Sequence, residues 1–211
     1  DYLISHIDHV FKVWDSRPWA RHYSFEEFCR HMLPYRLADE PLEAWREAYY
    51  QKYAARVDSL YPGNDIIGKI QAVETVFHEE EFRWNELFPS LPHLGANYLL
   101  EHPIGVCRES CDFSVYLLRA LGIPAVTDHY KVSPHTSGDH SWNAVRDTTG
   151  LVVPFWLSES KVGRGESDGR PKGKVFRREY GNEVRDVTAD YFGANEARIE
   201  LIAEARGKDL E

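Results

Sequence analysis

One stretch of this chain, residues 105–124, constrains the fold more than any other. Its sequence, GVCRESCDFSVYLLRALGIP, has helical spacing and ends in Gly122 and Pro124, which are helix stop signals. We therefore predict a buried helix that begins near its first cysteine and ends before Gly122. The predicted buried stripe consists of Cys107, Cys111, Ser114 and Leu118, with Val115 and Leu121 beside it.

A cysteine in the first turn of such a helix is a candidate nucleophile. The unpaired N–H groups and the positive end of the helix dipole favour a thiolate, which predicts a lowered pKa for Cys107. The chain has three cysteines, an odd number, and Cys107 and Cys111 lie one helical turn apart. We therefore expect free thiols rather than a disulfide framework, with Cys29 and Cys111 as core residues.

The flanking sequence predicts an α+β fold. Before the central helix, HIDHVFKVWD, SFEEFCRHML, PLEAWREAYYQKYAARVDSL and IIGKIQAVETVFHEE are predicted helices, the second opened by a Ser24–Glu27 capping box. Residues 88–103 are a predicted loop. After the helix, AVTDHYKV, HSWNAVRD, LVVPFWL and KVFRREY are predicted strands, two of them joined in a hairpin. The order predicts a Cys-bearing helix packed on a small antiparallel sheet.

This pattern divides the chain into three segments. Residues 1–84 are expected to be a helical extension packed on the core, 85–180 the core, and 181–211 a C-terminal segment that begins a tail helix or a following domain. The formal net charge of −9 argues against a general nucleic-acid binder. No apolar run approaches the length of a membrane span. The chain begins at Asp1 without a leader, so we expect a mature or excised segment.

Three motifs resemble the transglutaminase-like branch of the papain-like cysteine enzymes: GVC at 105–107, RALGIPA at 119–125 and HSW at 140–142. In that family the nucleophilic cysteine stands fifteen residues before the glycine of GIP, which matches Cys107. The family's base opens H-[SA]-W on the next strand, which matches His140. The sequence SFEEFCRHMLPYRLADEPLEAWR also resembles the helical extension found before this domain in some exported bacterial proteins.

The resemblance implies a chemistry and a setting. Cys107 would form a thioester with a peptide or amide substrate, hydrolysing it or passing the acyl group to an amine, and His140 would act as base and then acid. Protein, peptide or glycopeptide substrates are implied, with no cofactor. An exported location, periplasmic or at the cell surface, is implied too. The N–H of Cys107, with the Trp84 indole as a candidate second donor, would bind the oxyanion.

The third residue of the family's triad has no direct match. The family places an Asp about fifteen residues beyond the histidine, where this chain has Pro154, Phe155 and Trp156. Glu159 and Asp128 are the candidate residues for orienting His140. Asn143 has the opposite side-chain parity on the same strand, so we do not expect it to do so.

Other residues admit two interpretations. Trp142 shares the strand face of His140 and is predicted either to wall the substrate cleft or to be core. A metal site formed by His129, His135, Asp139 and His140 is not expected, because their spacing matches no compact ligand motif. The basic, glycine-rich residues 161–178 are interpreted as a solvated loop.

Two alternatives to an enzyme stay open at this point. The missing Asp fits a catalytically weak or inactive transglutaminase-like module that binds peptide or glycan. A structural helical adaptor, with the aromatic N-terminal half as its partner surface, is the third hypothesis.

Overall fold

The computed structural model describes residues 2–86, 92–131, 138–159, 162–166, 172–179 and 184–192. Their helices are α1 (Tyr2–Ser16), α2 (Phe25–Glu27) continued by a π-helical turn (Phe28–Met32), α3 (Arg46–Leu60), α4 (Ile66–Glu79), α5 (Ala96–Glu101), α6 (Cys107–Ala120) and α7 (Thr188–Phe192). The strands are β1 (Arg83–Trp84), β2 (Ile104–Gly105), β3 (Val126–Tyr130), β4 (His140–Arg146), β5 (Val152–Phe155), β6 (Phe176–Arg178) and β7 (Val184–Asp186).

The described strands form an antiparallel sheet of order β5-β4-β3-β6-β7, with a separate parallel pair, β1 and β2. This confirms the predicted mixture of helices and a small antiparallel sheet. The side chains of β4 alternate between two surfaces. The Asn143 face (Thr127, Asn143, Val145, Val153 and Phe155) packs on α6, because Asn143 Nδ2 donates to the Cys111 carbonyl at 3.2 Å and three of these residues share a core with α6. The Trp142 face (Asp128, His140, Trp142 and Arg177) is covered in part by α7.

The helix α6 is the centre of the molecule. Every residue from Glu109 to Ala120 is buried, so the whole circumference, not one stripe, is packed. It ends where the sequence predicts. Gly122 adopts φ +79°, and the N–H of Ile123 donates to the Leu118 carbonyl, which closes the last turn. Helices α3, α4 and α5 pack around α6, and the two halves of the chain share one hydrophobic core.

The four predicted N-terminal helices are all present, but their boundaries and buried faces differ in part from the prediction. Ser24 and Glu27 form the predicted capping box. In α1, spacings of three and four predict a buried stripe of Ile7, Val10, Phe11 and Trp14. Val10 is buried, but Ile7 and Phe11 are 44% and 39% exposed. The helix predicted from Pro41 begins five residues later, so Leu42 is exposed. The predicted loop 88–103 contains α5, and its residues 88–91 lie outside the described part.

A buried guanidinium joins the helical half to the end of α6. Arg46 is 1% exposed and donates to His6 Nε2 at 2.7 Å and to the Arg119 carbonyl at 3.2 Å. It also donates to the carbonyls of Met32 and Pro34. These carbonyls belong to helix ends and to the following turn, where backbone acceptors lack helical partners. Arg46 therefore caps two helix ends at once.

In the described part of the chain, no helix has both the length and the apolar content needed to cross a membrane. The segment 181–211 is described only at β7 and α7, where β7 completes the sheet. The predicted tail helix from Asn195 lies outside the described residues.

Candidate active site

The first turn of α6 is fixed by contacts that Gly105 permits. The backbone N–H of Val106 donates to Glu109 Oε2 at 3.0 Å, and the Glu109 side chain is fully buried. Gly105 has φ +148°, and a Cβ atom there would lie 2.3 Å from Glu109 Cβ. Only glycine allows this approach, so the sequence Gly-Val-Cys sets where the helix begins and where the Cys107 side chain emerges.

The Cys107 sulfur accepts a hydrogen bond from the backbone N–H of Ser141, the residue after His140. The thiol thus lies beside the start of β4, one peptide unit from the predicted base. Cys107 is half-buried and packs against the aromatic cluster that contains Trp142 and Trp156. Cys107 and His140 therefore contact the same aromatic cluster, although His140 lies on the Trp142 face of the sheet and α6 packs on the Asn143 face.

The pKa of the Cys107 thiol differs from the prediction. Burial raises it, and the charges of Asp139 and Glu109 act in the same direction. The N–H groups of Ser141 and Arg108 oppose this without reversing it. The expectation of a lowered pKa is wrong for the free chain, because desolvation of a thiolate outweighs these hydrogen bonds.

The His140 imidazole is 5% exposed and is surrounded by aromatic rings. Trp156 contacts it edge-on, with ring centroids 4.6 Å apart, and Trp142 stacks on it at 6.1 Å. Tyr130, its partner on β3, lies at 6.0 Å. Trp156 stands sixteen residues after His140, within the window where the family pattern places an Asp. An aromatic ring therefore packs on the imidazole from that position.

A hydrogen-bonded network begins beneath the ring. Trp142 is fully buried, and its indole N–H donates to the Tyr191 hydroxyl at 3.0 Å. That hydroxyl donates to Asp128 Oδ2. Arg177 binds both Asp128 oxygens at 2.8 Å, and this raises the pKa of the guanidinium although burial alone would lower it. Of the two interpretations of Trp142, cleft wall or core, its burial fits the core, and it links His140 to a buried ion pair.

This network defines the position of Asp128. Its described partners are Arg177 and Tyr191, so it reaches His140 through Tyr191 and Trp142. Glu159 is exposed in the turn after β5, where its backbone N–H donates to the Trp156 carbonyl at 3.0 Å. Its role as orienting residue stays a prediction. Asn143 faces α6, as its parity predicts.

Trp84 lies close to this site. Its strand β1 pairs with β2 so that Trp84 stands opposite Gly105, two residues before Cys107. The indole is 52% exposed, contacts Trp156 at 6.3 Å and directs its N–H toward Glu86 at 3.4 Å. An oxyanion role for Trp84 would need the indole to leave Glu86.

The remaining candidates lie elsewhere. Cys111 is fully buried and Cys29 is partly buried against the helical core. His129 is buried, and burial together with Arg178 lowers its pKa to about 4. Among the described residues, no group of three or more His, Cys, Asp or Glu side chains could hold a metal ion. His135 and several of the residues 161–178 lie outside the described part.

Sequence reasoning missed the residues that support His140. Tyr191 and Arg177 join the site only because β6 and α7 fold back over β3 and β4. In the sequence, the one sign of a role for Trp156 is that it occupies a position where the family pattern has an Asp. No local spacing could have revealed these contacts, since they depend on the order of strands in the sheet.

No family model matches the chain, and no curated protein matches it. The solved structures that are similar to this chain include two with low sequence identity. A candidate cysteine protease from Cytophaga hutchinsonii is 14% identical over 67% of this chain and 50% of its own, with a TM-score of 0.42. The periplasmic domain of TgpA from Pseudomonas aeruginosa, bound to ethylmercury, is 17% identical over 56% of this chain and 45% of its own, with a TM-score of 0.42. The chain spans about half the length of each. Likenesses at this level carry no argument about activity.

Proposed function

We propose that this protein is a cysteine-dependent enzyme that cleaves or transfers acyl groups of peptide-type amides through a thioester on Cys107. One observation supports this most strongly: the hydrogen bond from the Ser141 N–H to the Cys107 sulfur. It joins the first turn of α6, whose residues from Glu109 to Ala120 are all buried, to the residue that follows His140. This contact supports the pairing of a helix-leading cysteine with the HSW strand that the sequence pattern predicts.

The proposed reaction begins with a neutral thiol. Because burial raises the pKa of Cys107, His140 takes the proton as the sulfur attacks the carbonyl carbon. The N–H of Cys107 at the start of α6 is the proposed first oxyanion donor. His140 then gives the proton to the departing amine, which leaves a thioester. Water or a second amine attacks the thioester carbonyl carbon while His140 takes its proton, the C–S bond breaks, and the proton returns to the Cys107 sulfur, giving hydrolysis or transfer.

In this proposal, packing against aromatic rings contributes to holding the imidazole in place. Trp142 and Trp156 limit rotation of the His140 ring, and Tyr191 fixes Trp142 through Asp128. Glu159 is the proposed carboxylate partner if the turn after β5 brings it to the ring. A protein, peptide or glycopeptide substrate and an exported location belong to the same proposal.

The test is the pH profile of Cys107 alkylation by iodoacetamide, followed by mass spectrometry of each cysteine peptide. We expect Cys107 to react faster than Cys111, and His140→Gln to slow Cys107 about 10-fold or more at neutral pH. The variant should regain the rate only at alkaline pH, where the thiol ionises unaided.

Cys29 is the internal control, because it is partly buried against the helical core and outside the aromatic cluster that Cys107 contacts, and its rate should not change in His140→Gln. A His140→Gln profile that superimposes on the wild-type profile would contradict the base role. With an amide substrate library, Cys107→Ala should remove all turnover and every acyl-enzyme mass adduct.

A non-catalytic module that binds peptide or glycan is the second candidate function. Two observations favour it: Trp156 packs on His140 from the window where the family pattern has an Asp, and burial raises the pKa of Cys107. This module predicts that ligand binding survives Cys107→Ala unchanged and that no acyl-enzyme forms. Detection of a thioester adduct in the wild type would exclude it.

A further inference from the structure

A cavity of about 130 Å³ lies between the N-terminal helices and the far end of the sheet from His140. The strands β3 and β4 contribute Val126 and Arg146 to its wall, and α2 with its π-helical continuation contributes Glu26 and Arg30. Arg146 is six residues from His140 along β4, which corresponds to about 20 Å. The cavity therefore lies at a distance from His140, although Arg177 lines it and also belongs to the network beneath the imidazole.

The wall of this cavity is rich in arginine, although the whole chain has a net charge of −9. Four arginines line it, against two glutamates. Their positive potential has a consequence for His31, another lining residue. Burial first, and then the nearby arginines, lower the pKa of His31 to about 3, so this ring adds no charge of its own near neutral pH. The arginines are Arg30, Arg146, Arg177 and Arg185.

One arginine provides a rigid side of the cavity. Arg177 is 5% exposed, and Asp128 holds both its Nε and Nη2 at 2.8 Å. Within the described part of the chain, its Nη1 makes one contact, a long one to Asp190 at 3.4 Å. Its orientation is therefore fixed before any ligand arrives, which reduces the entropy cost of binding.

The other three arginines retain donors for a ligand. Among the described residues, Arg146 makes one hydrogen bond, from Nη1 to the Gly150 carbonyl at 2.8 Å, and has no carboxylate partner. Arg30 forms an exposed ion pair at 3.2 Å with Glu26, whereas Arg185 Nε contacts Glu179, whose side chain is 12% exposed, at 3.2 Å. An exposed pair such as that of Arg30 contributes little to stability, so an anion can replace Glu26 at small cost. Arg185 keeps its Nε contact to Glu179 and offers its Nη groups to the anion.

We propose that this cavity binds a small oxyanion group, a phosphate, a sulfate or a carboxylate, held by Arg146, Arg185 and Arg30 against Arg177. Guanidinium groups bind such oxygens in pairs, with two parallel N–H donors. The volume suits one oxyanion group and is smaller than the pockets that enclose whole cofactors or drug-sized ligands. The proposal does not rest on the proposed enzymatic function, although Arg177 belongs both to the cavity wall and to the network beneath His140.

The experiment is titration of the whole chain with inorganic phosphate, sulfate and acetate, by calorimetry and thermal unfolding, with sodium chloride at matched ionic strength as the reference. We expect saturable binding of an oxyanion and a rise in melting temperature that chloride does not reproduce. Stronger binding of phosphate and sulfate than of acetate assigns a tetrahedral ligand. The reverse order assigns a carboxylate such as a peptide C-terminus.

The double variant Arg146→Ala with Arg185→Ala should weaken binding at least 10-fold, and Arg146→Lys should weaken it a few-fold, because lysine keeps the charge but loses the paired donors. Arg21→Ala is the matched control, since Arg21 is an exposed arginine paired with Asp15 and does not line the cavity. It should bind as the wild type does. Stabilisation no greater than that by chloride, or unchanged binding in the folded double variant, would overturn the proposal.

Discussion

Arg46 and Arg177 are both buried guanidinium groups, but their partners differ in charge. Arg46, in the helical half, donates to neutral acceptors, His6 Nε2 and three backbone carbonyls. Arg177, on the Trp142 face of the sheet, is paired with Asp128. Burial lowers the pKa of Arg46, whereas the carboxylate raises that of Arg177 in spite of burial.

The difference shows what each region does with a buried charge. Backbone dipoles at helix ends are part of the fold itself, so the role of Arg46 is structural, and it closes helix ends around α6. The ion pair of Arg177 continues through Tyr191 and Trp142 to His140. We therefore expect changes around Arg46 to affect stability alone, and changes around Arg177 to affect stability and the proposed site together.

The largest effect is expected from Asp128→Asn. It leaves the Arg177 guanidinium buried without its counter-charge, which should lower the free energy of unfolding by about 3–5 kcal/mol. Urea denaturation measures this loss. The double variant Asp128→Asn with Arg177→Met is the control and should recover more than half of it, because both charges are then removed. A loss below about 1 kcal/mol in the single variant would mean that the pair behaves like an exposed one.

Arg46→Met should have the next largest effect, about 2–3 kcal/mol, because it leaves buried acceptors unpaired but also removes a buried charge. Urea denaturation is again the measurement. Arg46→Lys is the companion variant. It keeps the positive charge but has fewer hydrogen-bond donors, so it should lose less stability than Arg46→Met. Alkylation of Cys107 should proceed at the wild-type rate in both folded variants. A loss greater than that of Asp128→Asn would reverse the comparison between the two arginines.

The pH dependence of stability tests the neutral partner of Arg46. Burial, and then the charge of Arg46, lower the pKa of His6 from 6.5 to about 3. The folded state therefore binds fewer protons than the unfolded state, so this stability is complete above pH 6.5 and is lost as pH falls. Between pH 7 and pH 5 the loss from this one group is about 2 kcal/mol.

Urea denaturation at several pH values measures the slope of the unfolding free energy against pH. His6→Gln should reduce this slope by an amount that corresponds to at most one bound proton. Exposed His22→Gln is the matched control and should leave the slope in place. An unchanged slope in His6→Gln would contradict a neutral, buried His6.

The smallest change in stability, about 1 kcal/mol, is expected from Tyr191→Phe, which removes only the hydroxyl between Trp142 and Asp128. Its effect on the proposed site should be clearer, with a severalfold slower alkylation of Cys107 at neutral pH that is absent in the His140→Gln background. Equal slowing in both backgrounds would mean that the network holds the sheet together without positioning His140.

Local features of the sequence predicted most of the elements. Stop signals, the capping box at Ser24 and the hairpin turn before β5 act over a few residues, so they can be found from the sequence alone. The predicted start of α3 and the predicted buried side of α1 were wrong. Both are decided by which neighbours cover a helix, as the exposed Leu42 and Phe11 show. The predicted pKa of Cys107 was wrong for the same reason, since burial depends on distant chain segments.

The sequence by itself determined that α6 starts at Cys107, because Gly105 must accommodate Glu109, and that His140 opens a strand. Only the tertiary structure decided what surrounds them: Ser141 against the sulfur, Trp156 against the imidazole, and Tyr191 beneath Trp142. Helix ends and turns are set by interactions within a few residues. Strand order, burial and charge pairing join residues that are far apart in the chain, such as Tyr191 and Asp128, which are 63 positions apart, and such pairs leave no periodic trace in the sequence.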